Sequence, residues 1–183
     1  MPPKRTNVTR STRPAPDGVV DLDSRIAIFG HPIHAMLVAF PIAGVFWVAG
    51  CDAAYWWTLD PFFARAAVWG SGAAFVMGSF AALSGLGEML AVPGARRHAA
   101  GWSHGVIAMT LLAVLALNWA HRIGNYEDAV LPWGALLSGL QLVLVAFTGW
   151  HGGKLVFEHG FAVELPEDTR EEHAGGGTLT REP

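Results

Sequence analysis

Four windows of this chain, residues 26–51, 66–87, 98–121 and 129–153, contain no Asp, Glu, Lys or Arg, and the connections between them are short and charged. A helix rises about 1.5 Å per residue, so about 20 mostly apolar residues cross the hydrocarbon layer of a bilayer. Each window meets that length. Only helices and closed barrels satisfy their own backbone hydrogen bonds where lipid offers no partner, and unbroken windows of this length read as helices. The pattern predicts an all-α protein, a four-helix transmembrane bundle with short loops over residues 26–163. The polar tails at 1–25 and 164–183 offer little apolar surface to bury and are expected to be disordered.

Finer periodicities predict how the helices meet. Gly70, Ala74, Gly78 and Ala82 recur at every fourth position of the second span, and Ala35, Ala39 and Ala43 repeat the device on the first. Small residues let membrane helices approach closely, so these two spans are expected to pack together through the two stripes. Pro41 lies inside the first span, cannot donate to the Leu37 carbonyl and predicts a kink. Gly30-His31-Pro32 reads as a helix entry with Pro32 at the first helical position, which places His34 in the first turn. Asp60-Pro61, Pro93-Gly94 and the stretch from Asn125 to Pro132 mark the connections, and Trp56 and Trp57 stand where indole rings favour the headgroup layer.

Composition narrows the compartment. With 52% apolar and 15% charged residues in 183 positions, the chain is one domain whose windows lack the polar outer face of a soluble bundle. A net charge of −3 without a basic run leaves nucleic acid no footprint, and that class of partner is excluded. Cys51 stands alone, so neither an intramolecular disulfide nor a paired-Cys metal motif is available, and there is no Cys-x-x-Cys-His for covalent haem. The first 25 residues lack the apolar core of a cleavable signal. With both termini in the cytoplasm, that side holds Lys4, Arg5, Arg10, Arg13, Arg25, Arg96, Arg97, Lys154, Arg170 and Arg181, and the other side only Arg65 and Arg122. The positive-inside bias thus predicts a multi-pass protein of the cytoplasmic membrane, with the lipid bilayer as its first partner.

The histidines are placed unevenly. His31 and His34 open the first span, Glu88 closes the second, His104 opens the third and His151 closes the fourth. Starts of odd spans and ends of even spans share one side of a serpentine, so all four helices deliver an ionisable or coordinating group to one leaflet. His104 and Asn118 share a helix face, as do Gln141, Thr148 and His151, and such polar stripes turn toward the bundle interior because lipid is costly for them. Imidazoles bind transition metals, with a carboxylate to complete the shell. Two histidines on facing helices also suit the axial positions of a b-type haem, with Trp69, Phe75, Phe80, Trp102 and Trp150 as candidate apolar walls. Proton handling is a third use of the same groups. Against these stands ordinary interfacial placement, which suits His31, His98 and His159, while His121 on the opposite side reads as a polar end cap.

The segment His31-Pro32-Ile33-His34-Ala35-Met36-Leu37-Val38-Ala39-Phe40-Pro41-Ile42 resembles the opening of a bacterial family of four-span membrane proteins, domain of unknown function 2231. The segment Gly149 to Gly160, with Gly152-Gly153-Lys154-Leu155-Val156-Phe157-Glu158-His159-Gly160, resembles that family's Gly-Gly-x-Leu-Val-aromatic-x-His-Gly close. The resemblance carries over His31, His34 and His159, matches Glu88 to an acidic position and matches His104 to a histidine near the start of the third span. The chain departs at Ala35 and Ala39, where the family typically has Pro and a further His; His151 could substitute from the fourth helix. Relatives fused to cytochrome c-like or Rieske-like domains imply an electron-transfer setting.

Two readings from different classes follow. The first is an electron-transfer subunit that exchanges electrons with a redox partner protein. Its cofactor ligands are His34, His104 and His151, holding a b-type haem, or a transition metal whose set extends to His31, Glu88 and His159. The second is a non-catalytic anchoring or assembly module without a cofactor, gathering partners or copies of itself; there the small-residue stripes carry the function and Gly78→Leu should disrupt assembly. Neither is a stand-alone enzyme, since no nucleophile–base pair, carboxylate dyad or phosphate loop has a convincing setting. A transporter lacks its inverted repeat.

Overall fold

The first span is entered through a tight hairpin. In the computed structural model, which describes residues 26–29, 31–92, 96 and 99–157, β1 (Ala27–Ile28) pairs antiparallel with β2 (His31–Pro32). The Ile33 N–H closes the hairpin on the Ile26 carbonyl at 3.1 Å. α1 (Ile33–Leu37) starts one residue after Pro32, whose ring fixes a φ of −60° suited to a cap position, and His34 stands in the first turn as expected. The run is interrupted at Val38 before α2 (Ala39–Thr58) takes it onward. Pro41 accounts for the break, because the Leu37 carbonyl has no N–H to receive.

α3 (Pro61–Ala91) follows after only Leu59 and Asp60. Leu59 takes the left-handed conformation, with φ 55°, and Asp60 caps the new helix by accepting the Phe62 N–H at 2.9 Å, with Pro61 in the first turn. α4 (Ala99–Arg122) and α5 (Ala135–Phe157) complete the bundle. Between them Val130–Gly134 forms a wide turn in which Leu131 is extended and the Leu131–Pro132 peptide is cis. The four apolar spans are Ile33–Thr58, Pro61–Ala91, Ala99–Arg122 and Val130–Phe157. Each packs on the spans before and after it in sequence, and the first also packs on the fourth. The tails expected to be disordered, 1–25 and 164–183, lie outside the described residues, as do the Pro93-Gly94 turn, His98 and His159.

The apolar centre is built by every span: Val45 from α2, Ala74 from α3, Leu111 and Leu115 from α4, and Val145 from α5. α2 and α3 meet closely, as their small residues predict. A Cβ added to Gly44 would lie 2.7 Å from the Ala74 Cβ, and one added to Gly70 would lie 2.6 Å from the Trp47 ring. Two details differ from expectation. Ala35, Ala39 and Ala43 are exposed, because the packed face of the first span is Pro41, Gly44, Val45 and Val48. Gly78 faces Leu112 and Pro41 of its own bundle, so its substitution reports on folding and not on a partner.

Charge is also distributed differently. The windows end beside Asp52 and Arg122, which leaves both to the connections, yet both lie within helices and both are buried.

Candidate functional site

Two polar layers flank the apolar centre. The first is the histidine layer. His34 on α1 leans on α3: its Nδ1–H donates to the Ala81 carbonyl at 2.7 Å, and a Cβ added to Gly85 would collide with the ring at 2.6 Å. Gly85 is therefore a notch that seats the imidazole. In a neutral ring this carbonyl bond selects the tautomer with the proton on Nδ1 and the lone pair on Nε2. His104 on α4 leans the other way, onto α5, where a Cβ added to Gly152 would lie 3.1 Å from Cε1. Its ring also lies beside the Thr148 backbone, while its buried Nδ1 has no hydrogen-bond partner. Seated in these notches, the two rings face each other with centres 6.3 Å apart and planes perpendicular.

The other histidine-side candidates are placed less centrally. His151 is an electrostatic neighbour of His104, but its Nδ1–H donates to the Phe147 carbonyl of its own helix at 3.0 Å. Glu88 accepts the Ile26 N–H at 2.8 Å and so ties the entry hairpin to the end of α3. His31 is exposed, with its Nδ1 bonded to the Phe29 carbonyl at 3.0 Å. His159 lies outside the described residues. Among the described residues, no group of three or more His, Cys, Asp and Glu side chains is arranged to hold a metal ion. The expected aromatic walls stand elsewhere: Trp69 (79%), Trp150 (68%), Phe80 and Trp102 are exposed on the outer surface, and Phe75 packs on Trp119 with ring centres 5.8 Å apart. Large aromatic rings cost nothing against lipid, so the bundle had no need to turn them inward.

The second layer, toward the Asp60 turn, is a closed polar network that sequence reasoning missed. Arg122 meets Asp52 fork to fork, Nη1 to Oδ1 at 2.8 Å and Nη2 to Oδ2 at 2.7 Å. Its Nε donates to Asn118 Oδ1 at 2.9 Å, one turn back on α4, and Nη2 also reaches Ser138 Oγ at 3.2 Å. Ser138 in turn donates to Asp52 Oδ2 at 2.7 Å. Asn118 Nδ2 bonds Ser138 Oγ at 3.1 Å and Gln141 Oε1 at 3.3 Å, and Gln141 Nε2 ends the chain on the Val114 carbonyl at 3.2 Å. All five side chains are buried and tie α2, α4 and α5 together. Gly134 makes room for the guanidinium, since an added Cβ would lie 2.8 Å from Nη2.

Asn118 and Gln141 were legible as an inward polar stripe, but Asp52 and Arg122 were not. A charge-free window stops at the first charge and assigns it to a loop. The available signal was their pairing: one acid and one base, each just beyond a window, at ends that a serpentine places on the same side, with Asn118 one turn from Arg122.

Four apolar spans packed as a bundle, with polar side chains turned inward, define an integral membrane protein. The chain matches the family described as Predicted membrane protein (DUF2231) over residues 30–165, and it belongs to that family. No curated protein and no solved structure matches it.

Proposed function

We propose that the chain is an electron-transfer subunit that binds its cofactor through His34 and His104. The observation that supports this reading is the imidazole pair itself: two rings from separate spans, each seated in a glycine notch of a neighbouring span, with centres 6.3 Å apart. Metal–imidazole bonds are about 2.0–2.1 Å long, so two rings sharing one metal come to about 6 Å centre to centre. The Ala81 carbonyl behind His34 is the kind of partner that orients a ligating histidine and raises its basicity.

His34 and His104 would be the residues that hold a b-type haem, whereas a bare redox-active metal ion would need a third group, for which His151, an electrostatic neighbour of His104, is a candidate. Either cofactor would supply a one-electron couple inside the leaflet, exchanging with a redox partner protein. The basic-residue bias of the sequence supports a cytoplasmic-membrane protein with this layer on its cytoplasmic side.

The test is the absorption spectrum of protein purified from its native membrane, oxidised and then dithionite-reduced, with elemental analysis of the same sample. A Soret band that shifts on reduction, lost in both His34→Ala and His104→Ala while the fold is kept, supports the haem assignment. A stoichiometric metal without haem moves the assignment to the ion. Full cofactor content in both variants overturns the ligand pair, and neither haem nor metal in the wild type leaves the anchoring module as the better reading.

A further inference from the structure

Asp52 and Ser138 of the buried network line an open groove between the first and fourth spans, with a volume of about 440 Å³, within the range of small-molecule sites. Its walls are made low by Ala49, Ala53, Ala135 and Gly139, and a Cβ added to Gly139 would meet nothing within 4 Å. Trp56, 67% exposed, stands at its edge. Apart from Asp52 and Ser138 the lining is apolar.

A count of lone pairs gives the groove its chemistry. Ser138 Oγ donates to Asp52 and accepts from both Asn118 and Arg122, so it is saturated. The Asp52 carboxylate offers about four acceptor sites. Arg122 Nη1 takes one on Oδ1, and Arg122 Nη2 and Ser138 take two on Oδ2. Asp52, which lines the groove and is 3% exposed, therefore keeps one uncommitted acceptor, on Oδ1. The carboxylate's charge is already balanced by the guanidinium beside it, so a cation gains little and an anion is repelled from the acceptor. An entrant must be membrane-soluble, neutral and able to donate a hydrogen bond from the end of a compact apolar body.

We propose that this groove binds a lipid-soluble hydroquinone, whose phenolic hydroxyl donates to Asp52 Oδ1 while its ring lies between the small-residue walls. A phospholipid would bring its phosphate against the carboxylate, and an acyl chain brings no donor. The site is separate from the histidine pair and does not depend on what that pair holds.

The experiment uses the full chain in phosphatidylcholine nanodiscs, titrated with a decyl-substituted hydroquinone and, in parallel, with the dimethyl ether of the same compound, which keeps the ring and tail but has no donor. Calorimetry should find one saturable site per chain, with the ether at least 10-fold weaker. Gly139→Leu fills open space without touching the network, so the variant should keep its thermal midpoint and lose hydroquinone affinity by at least 10-fold. Equal affinity for the ether overturns the proposal in favour of an acyl-chain slot. Undiminished binding in folded Gly139→Leu overturns the location, and no saturable binding to the wild type overturns the site altogether.

Discussion

At the scale of single residues, the Asp52–Arg122 pair has the largest stability consequence. Two charges out of water are tolerable only because the fork-to-fork geometry and the bonds to Ser138 and Asn118 satisfy nearly every donor and acceptor. Removing one partner leaves the other buried and uncompensated, at a cost of about 3–5 kcal/mol. Asp52→Ala and Arg122→Ala should each lower stability by that order in a detergent unfolding titration. The double variant should lose clearly less than the sum, since neither orphaned charge remains. Strict additivity would mean that the pair is not coupled. The histidines obey the same logic more weakly, because His104 Nδ1 is the one polar side-chain atom among the described residues that is buried without a partner.

At the scale of elements, the glycines decide where helices touch. Gly44 and Gly50 lie on the same helix, yet a Cβ at Gly44 would collide with Ala74 and one at Gly50 would meet nothing within 4 Å. Gly44→Leu should therefore destabilise the bundle by about 1–3 kcal/mol through overpacking. Gly50→Leu should leave stability unchanged or raise it by up to about 1 kcal/mol, because a glycine inside a helix costs about that much and nothing crowds the new side chain. Equal midpoints for the two variants would remove the close approach of α2 and α3 from the account of stability. This contrast also marks what the sequence could convey. The Gly70 and Ala74 stripe on α3 was readable because small residues recur there at every fourth position, and it does receive α2. The alanines at 35, 39 and 43 gave the same signal and face outward, since periodicity specifies that a face exists and not which neighbour claims it. His34 and His104 were likewise readable as sharing a leaflet, but their meeting depends on helix rotation, which is set by the Gly85 and Gly152 notches.

At the scale of the whole molecule, one serpentine carries two polar layers of different character. One holds the facing imidazoles of His34 and His104, and the other holds paired charges whose hydrogen-bonding capacity is almost fully used. Between them lies the apolar layer of Val45, Ala74, Leu111, Leu115 and Val145. Along α5 that layer separates Gln141 from Thr148, roughly 10 Å at the helical rise. No side chain of either layer bridges it in the described hydrogen bonds, so neither layer should sense the other. Ser138→Ala leaves donors of the second layer unmet, and His104→Ala truncates the first; separated sites without shared partners add to within about 0.5 kcal/mol. The double variant should equal the sum of the singles in detergent unfolding, and Ser138→Ala should leave any absorption band of the histidine layer in place. A coupling above about 1 kcal/mol, or a shifted band, would mean that the apolar layer moves as a unit and links the two ends of the bundle.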